Sequence, residues 1–154
     1  MQESPSDFDG ILKQLQEYFP DDGNLLDWEP VDWFESLEYY IEERDFICVH
    51  AGVPFDRERC ILPLDKAFPE QLVYDRIFKD QNVEVVGDKC VFFGHTPTGY
   101  FTQGDSKILT YARPERRGDS IYDYYKVHLD LGTWMSGMLG CFCIETCKCI
   151  YVER

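Results

Sequence analysis

The stretch KCVFFGHTP, Lys89–Pro97, runs apolar residues into a glycine and a histidine, and DFICVHAG, Asp45–Gly52, is built the same way. A short continuous apolar run bounded by turn formers reads as a strand buried on both faces that feeds a loop. His95 and His50 therefore stand at the ends of two buried strands, each close to a glycine, Gly94 or Gly52. Open α/β sheets place their ligand sites along that edge. Glycine there removes a side chain and allows close approach of a metal, a ligand or another stretch of backbone. Taken singly, each histidine reads as a hydrogen-bonded loop residue. As a matched pair of imidazoles they point to a shared metal, because neutral imidazole is the commonest protein metal ligand.

Around these two runs the chain alternates. Phe8, Ile11, Leu12, Leu15 and Phe19 recur at helical spacing and are stopped by Pro20 and DDGN. A second helical period runs from Pro30 through Val31, Phe34, Leu37 and Ile41 to EERD. Residues 1–45 thus read as a helical segment preceding a sheet, and 46–154 as the sheet-forming part of a single domain. Between the histidine runs, LDKAFPEQLVYDRIF has helical spacing, with Pro69 at a break or in a first turn. Then come KILTYA, a polar stretch RPERRGDS and a strand candidate YYKVHLDLG, and MLGCFCIE with KCIYVE reads as a hairpin turning near Thr146. The expected class is α/β, with a mixed sheet, covering helices and a C-terminal β-hairpin.

Composition narrows the function. The 154 residues are 44% hydrophobic and 16% aromatic, which suits one folded domain rather than a disordered chain. Twenty-nine acidic against 15 basic residues give a net charge of −14, which repels a phosphate backbone, so nucleic-acid binding through a basic face is not expected. Seven cysteines, an odd number, and a start, MQESPSD, without a basic or apolar signal region imply a reduced, cytoplasmic setting. No apolar run approaches the ~20 residues that span a bilayer, so no membrane role is expected.

In order, VHAGVP (Val49–Pro54), FFGHTPTG (Phe92–Gly99) and VHLDLGTWMSGML (Val127–Leu139) resemble the C-terminal half of calcineurin-like metallophosphoesterases. The likeness is to bacterial and phage-type serine/threonine protein phosphatases and their diadenosine-tetraphosphatase relatives. It runs from about Phe46 to Val152, each motif being weak alone and the ordered set more specific. The resemblance implies a four-layer α/β/β/α sandwich and two divalent ions (Mn, Fe or Zn), with His50 and His95 as ligands of the second. QLVYDRIF is similar to a family segment whose arginine clamps the substrate phosphate, which maps onto Arg76. A guanidinium suits that role because it makes paired, charge-assisted bonds to phosphoryl oxygens. On sequence alone, Arg76 reads equally as a surface residue paired with Asp75 or Asp80.

The family's first-half motifs, D-x-H, G-D-x-x-D-R-G and G-N-H-E, are absent from these residues. GDSIYD, Gly118–Asp123, has the wrong spacing and position for the bridging-aspartate motif and reads as a loop. The expectation is therefore the C-terminal portion of a phosphatase, Met1 being an internal start or a fragment boundary. Alone it would have little or no activity and at most one partial metal site. Its substrate would be a phosphorylated protein or phosphate ester, and an exposed sheet edge would favour association. Alternatives are a dinucleoside-tetraphosphate hydrolase and a non-enzymatic interaction module on the same fold. A third, a zinc site from Cys141, Cys143, Cys147 and Cys149, competes with ordinary strand packing of the cysteines, as expected also for Cys48 and Cys90. His128 reads as a strand-face residue.

Overall fold

The computed structural model describes residues 36–153. Their chain runs through strands β1 (Tyr40–Glu42) and β2 (Phe46–Val49), helix α1 (Pro69–Val73), strands β3 (Cys90–Phe93), β4 (Leu109–Ala112) and β5 (Tyr124–His128), helix α2 (Thr133–Ser136), and strands β6 (Met138–Cys143) and β7 (Lys148–Glu153). The first five strands form one mixed sheet in the order β1-β2-β3-β5-β4, and β6 and β7 form a separate hairpin. Strands β2, β3 and β5 are mutually parallel, while β1 and β4 are antiparallel edges. The described part is thus mixed α/β with short helices. No helix among the described residues is long and apolar enough to cross a membrane.

The apolar runs form these strands because both faces of the sheet are covered. All four residues of β3 are buried. Ile47, Val49, Val91 and Phe93 enter one cluster with Leu64, Leu72 and Phe78. Cys90, Phe92, Val127 and Phe142 belong to the other, against which the hairpin packs with Cys147 and Cys149. Each large apolar side chain enclosed this way contributes about 1.5–3 kcal/mol. Pro69 occupies the first turn of α1, where its missing N–H costs nothing, and Gln71 Oε1 accepts the Phe68 N–H at 3.1 Å.

One sequence expectation changes here. The helical period read through Ile41 does not reach EERD, because Tyr40–Glu42 is strand β1, with Tyr40 opposite Val49 and Glu42 opposite Ile47. Tyrosine and isoleucine suit a pleated edge, and β2 offers an unpaired row of backbone groups there. The helical periods read over residues 6–19 and 30–34 lie outside the described residues. In the hairpin, Phe142 faces the core while Cys141 is exposed, so that cysteine does not pack inside. Its alternation with Phe142 follows the strand period.

Strand β5 is buried along its whole length, including Lys126 and His128, both fully enclosed. The His128 ring stacks on Phe93 with centroids 4.3 Å apart, and neither of its nitrogens has a well-formed hydrogen bond among the described residues. Burial pushes its pKa down to about 4, partly opposed by the backbone of Thr96 and by Asp130. The folded chain therefore holds His128 neutral, whereas the unfolded chain protonates it near pH 6.5. The associated stability is complete above about pH 6.5 and is lost as pH falls through about 4, amounting to ~3 kcal/mol in full. Urea unfolding between pH 7 and pH 4 should show a shallower decline for His128→Phe than for the unsubstituted chain. Identical slopes would contradict a buried, neutral His128.

Candidate functional site

Parallel pairing puts the C-terminal ends of β2, β3 and β5 on one edge, and the backbone ladder continues past all three. The Gly94 N–H donates to the carbonyl of His50 (2.8 Å), Leu129 N–H to that of Phe93 (2.8 Å), and Thr98 N–H to that of Asp130 (2.8 Å). A Cβ on Gly94 would lie 3.3 Å from the Asp130 Cβ, so the glycine permits the third loop to close on the second. The consequence is direct: His50 Nε2 and His95 Nδ1 are 3.1 Å apart. The two histidines that the sequence places on matching strand ends meet.

His95 takes an uncommon backbone conformation to do this. Its φ is +71°, and the Thr96 N–H closes a three-residue turn on the Gly94 carbonyl at 2.9 Å. That is the positive-φ γ-turn, the rarer and more strained of the two forms. Strain held at a side chain that faces a matched partner is a mark of functional sites. His95 is half-buried, and its Nε2 has no hydrogen-bond partner among the described residues. Desolvation first, then the neighbouring His50 and Arg76, lower its pKa, with Asp130 opposing. A His95 held neutral keeps a lone pair for a ligand bond.

Arg76 lies on the turn that follows α1, near enough for its charge to act on His95. It forms no ion pair among the described residues. The two aspartates that could have neutralised it are otherwise engaged. Asp75 Oδ1 accepts the N–H groups of Ile77 and Phe78, and Asp80 Oδ1 accepts those of Asn82. Helix α1, which leads into this turn, is tied to the His50 loop by the Ala51 N–H donating to the Leu72 carbonyl (2.8 Å), and the turn itself packs against that loop. Gly52 makes room for it, since a Cβ there would meet the Phe78 Cβ at 2.5 Å.

A hollow of about 340 Å³ opens beside the pair, lined by Cys48, Phe92 and Leu129 together with His50, His95 and Asp130. That volume is within the range of small-ligand sites. A larger hollow of about 440 Å³, near Ile47, Leu64 and the Glu42–Lys89 ion pair, has neither histidine. Two site residues escaped the sequence reading. Asp130 ends the third parallel strand run, and its Oδ1 accepts the Gly132 N–H at 2.8 Å. Tyr74, 69% exposed, sets its ring edge-on to His95 with centroids 6.1 Å apart. The shared position of Asp130 past a strand end was the available signal; nothing marked Tyr74.

Asp123, in GDSIYD, sits at the opposite end of β5 and gathers the N–H groups of Gly118, Asp119 and Ser120. Among the described residues no three His, Cys, Asp or Glu side chains are gathered so as to hold a metal ion. Comparison with models of protein families, with characterised proteins and with solved structures returns no match.

The strained turn gives a direct test of the geometry. His95→Gly relieves the positive φ, whereas His95→Ala keeps it, so the glycine variant should be the more stable by about 1–2 kcal/mol in urea unfolding. An alanine variant as stable as the glycine variant, or more so, would contradict the backbone described for His95.

Proposed function

We propose that this chain supplies half of a two-metal phosphoesterase centre of the calcineurin-like class, acting on phosphoserine or phosphothreonine in proteins. The observation that carries this reading is the 3.1 Å spacing of His50 Nε2 and His95 Nδ1 at the ends of adjacent parallel strands. Bonds from imidazole nitrogen to such an ion are about 2.0–2.1 Å, so two nitrogens about 3 Å apart fit one shared ion. His50 and His95 are the residues that would hold a Mn, Fe or Zn ion, and two ligands make a partial site. When bound, a metal pair clamps a phosphoryl group and lowers the pKa of a bound water.

The chain's own contribution is to orient. Arg76, without an ion pair among the described residues and on a pinned turn, presents its guanidinium to a phosphate held at the histidine pair, where two parallel charge-assisted bonds fix the phosphoryl oxygens. Asp130 stays hydrogen-bonded to its own loop and keeps that loop closed on Gly94. The reading extends to architecture: the five-stranded sheet would be one of the two central layers of an α/β/β/α sandwich. In its support, Cys48 and Leu129 on the hairpin-side face remain partly open to the hollow. The motifs for the other metal ligands are absent from these residues, so the chain alone would be inactive or nearly so. Hydrolysis of a dinucleoside polyphosphate is a second reading, favoured by the exposed Tyr74 ring beside His95, on which a base could stack.

Calorimetric titration with Mn²⁺ tests the reading. One site is expected, weakened at least tenfold by either His50→Ala or His95→Ala, with Arg76→Ala leaving metal affinity intact and reducing affinity for inorganic phosphate. Unchanged Mn²⁺ binding in both histidine variants would remove the metal site. Brisk turnover of a phosphate ester, abolished by His95→Ala, would show instead that the site is complete.

A further inference from the structure

Lysine is among the residue types least often enclosed in a core, yet Lys126 is fully buried in the middle of β5. No carboxylate forms an ion pair with it among the described residues. Its ammonium donates instead to the backbone carbonyls of Phe78 (2.9 Å) and Asp80 (2.6 Å). The rings of Tyr111, Phe78, Tyr125 and Phe93 surround it with centroids 4.7, 5.2, 5.8 and 5.9 Å away. Such faces stabilise a desolvated cation. Burial draws its pKa down to about 8, with Asp80 opposing and Arg59 adding a little, so the amine is still mostly charged at neutral pH.

Both acceptors belong to the turn that carries Arg76. At the start of that turn the Asp75 carboxylate holds the N–H groups of Ile77 and Phe78. At its end Lys126 holds the carbonyls of Phe78 and Asp80, and the Phe78 ring is enclosed between Phe55 and Phe93. Arg76 and Ile77 are the exposed residues between these two anchors.

We propose that Lys126 is a positioning residue, which through the Phe78 and Asp80 carbonyls fixes the 75–80 turn on the sheet and thereby holds Arg76 beside the His50–His95 pair. What Arg76 then does rests on the phosphoesterase reading; the anchoring does not. A loop residue that must meet a phosphate gains most from a turn whose conformation is set beforehand. A buried ammonium sets it from an interior strand of the sheet, where an exposed side chain would leave the loop free.

The test uses Lys126→Met, which keeps an unbranched apolar stem inside the cage and removes the donors, and Lys126→Arg, which restores donors. Amide exchange at Ile77 and Phe78 should accelerate at least tenfold in Lys126→Met, with Val91 and Phe92 in β3 changing less than threefold, and Lys126→Arg should recover part of the protection. Equal acceleration everywhere, or an unchanged turn, would overturn the proposal. For phosphate binding to the Mn²⁺-loaded chain, Lys126→Met and Arg76→Ala should each weaken affinity, and the double variant should be no weaker than Arg76→Ala alone. Additive losses would overturn action through Arg76. If Arg76→Ala leaves phosphate binding unchanged, the clamp reading fails and the exchange data still decide the role of Lys126. Should Lys126→Met not fold, the unsubstituted chain decides it: slowly exchanging ammonium protons with cross-peaks to Phe78 support the anchor, and fast exchange refutes it.

Discussion

The bond from the Gly94 N–H to the His50 carbonyl carries the parallel ladder of β2 and β3 beyond the strands themselves. Because Phe46 pairs with Cys90 and Cys48 with Phe92, His50 lies level with Gly94, one residue before His95, and the turn at His95 brings its ring back to that of His50. By strand alternation alone positions 50 and 95 would face opposite sides of the sheet, so the turn at His95 is what brings the imidazoles together. The hollow and the strained turn at His95 both lie where this pairing ends. It is also well protected, since β3 is the central strand and all four of its residues are buried.

Around that pairing, polar groups are used sparingly and in places that apolar side chains could not serve. Asp75, Asp123 and Asp130 each spend carboxylate oxygens on nearby backbone N–H groups, which fixes three loops. Exposed ion pairs such as Lys107 with Asp105 add little by comparison. Lys126 and His128 go further, since both sit inside β5 with cost attached to their charged forms. The lysine answers that cost with two carbonyls and four rings. The histidine answers it by staying neutral.

The strands that carry His50 and His95 are legible in sequence because a buried parallel strand must be apolar on both faces, and the hairpin because its residues alternate. Strand β1 is not, since three residues at an edge carry too short a signal and Tyr40 and Ile41 fit either period. The burial of Lys126 is also hidden: lysine is usually solvated, and its acceptors come from a turn remote in sequence. At the site, residue type and spacing point to the histidine pair, and the structure brings it together. Asp130 and Tyr74 enter only through the approach of loops that Gly94 and α1 make possible. The freedom of Arg76 from Asp75 and Asp80 likewise depends on where those carboxylates find N–H groups.

In the proposed centre, His50 Nε2 and His95 Nδ1 are the ligand atoms for one ion. Long-range ¹H–¹⁵N spectra of the imidazoles, recorded while one equivalent of Zn²⁺ is added, test it most directly. The account expects the His50 Nε2 and His95 Nδ1 resonances to shift together to ligand positions while those of His128 stay fixed. Shifts in neither histidine, or in one without the other, would contradict it.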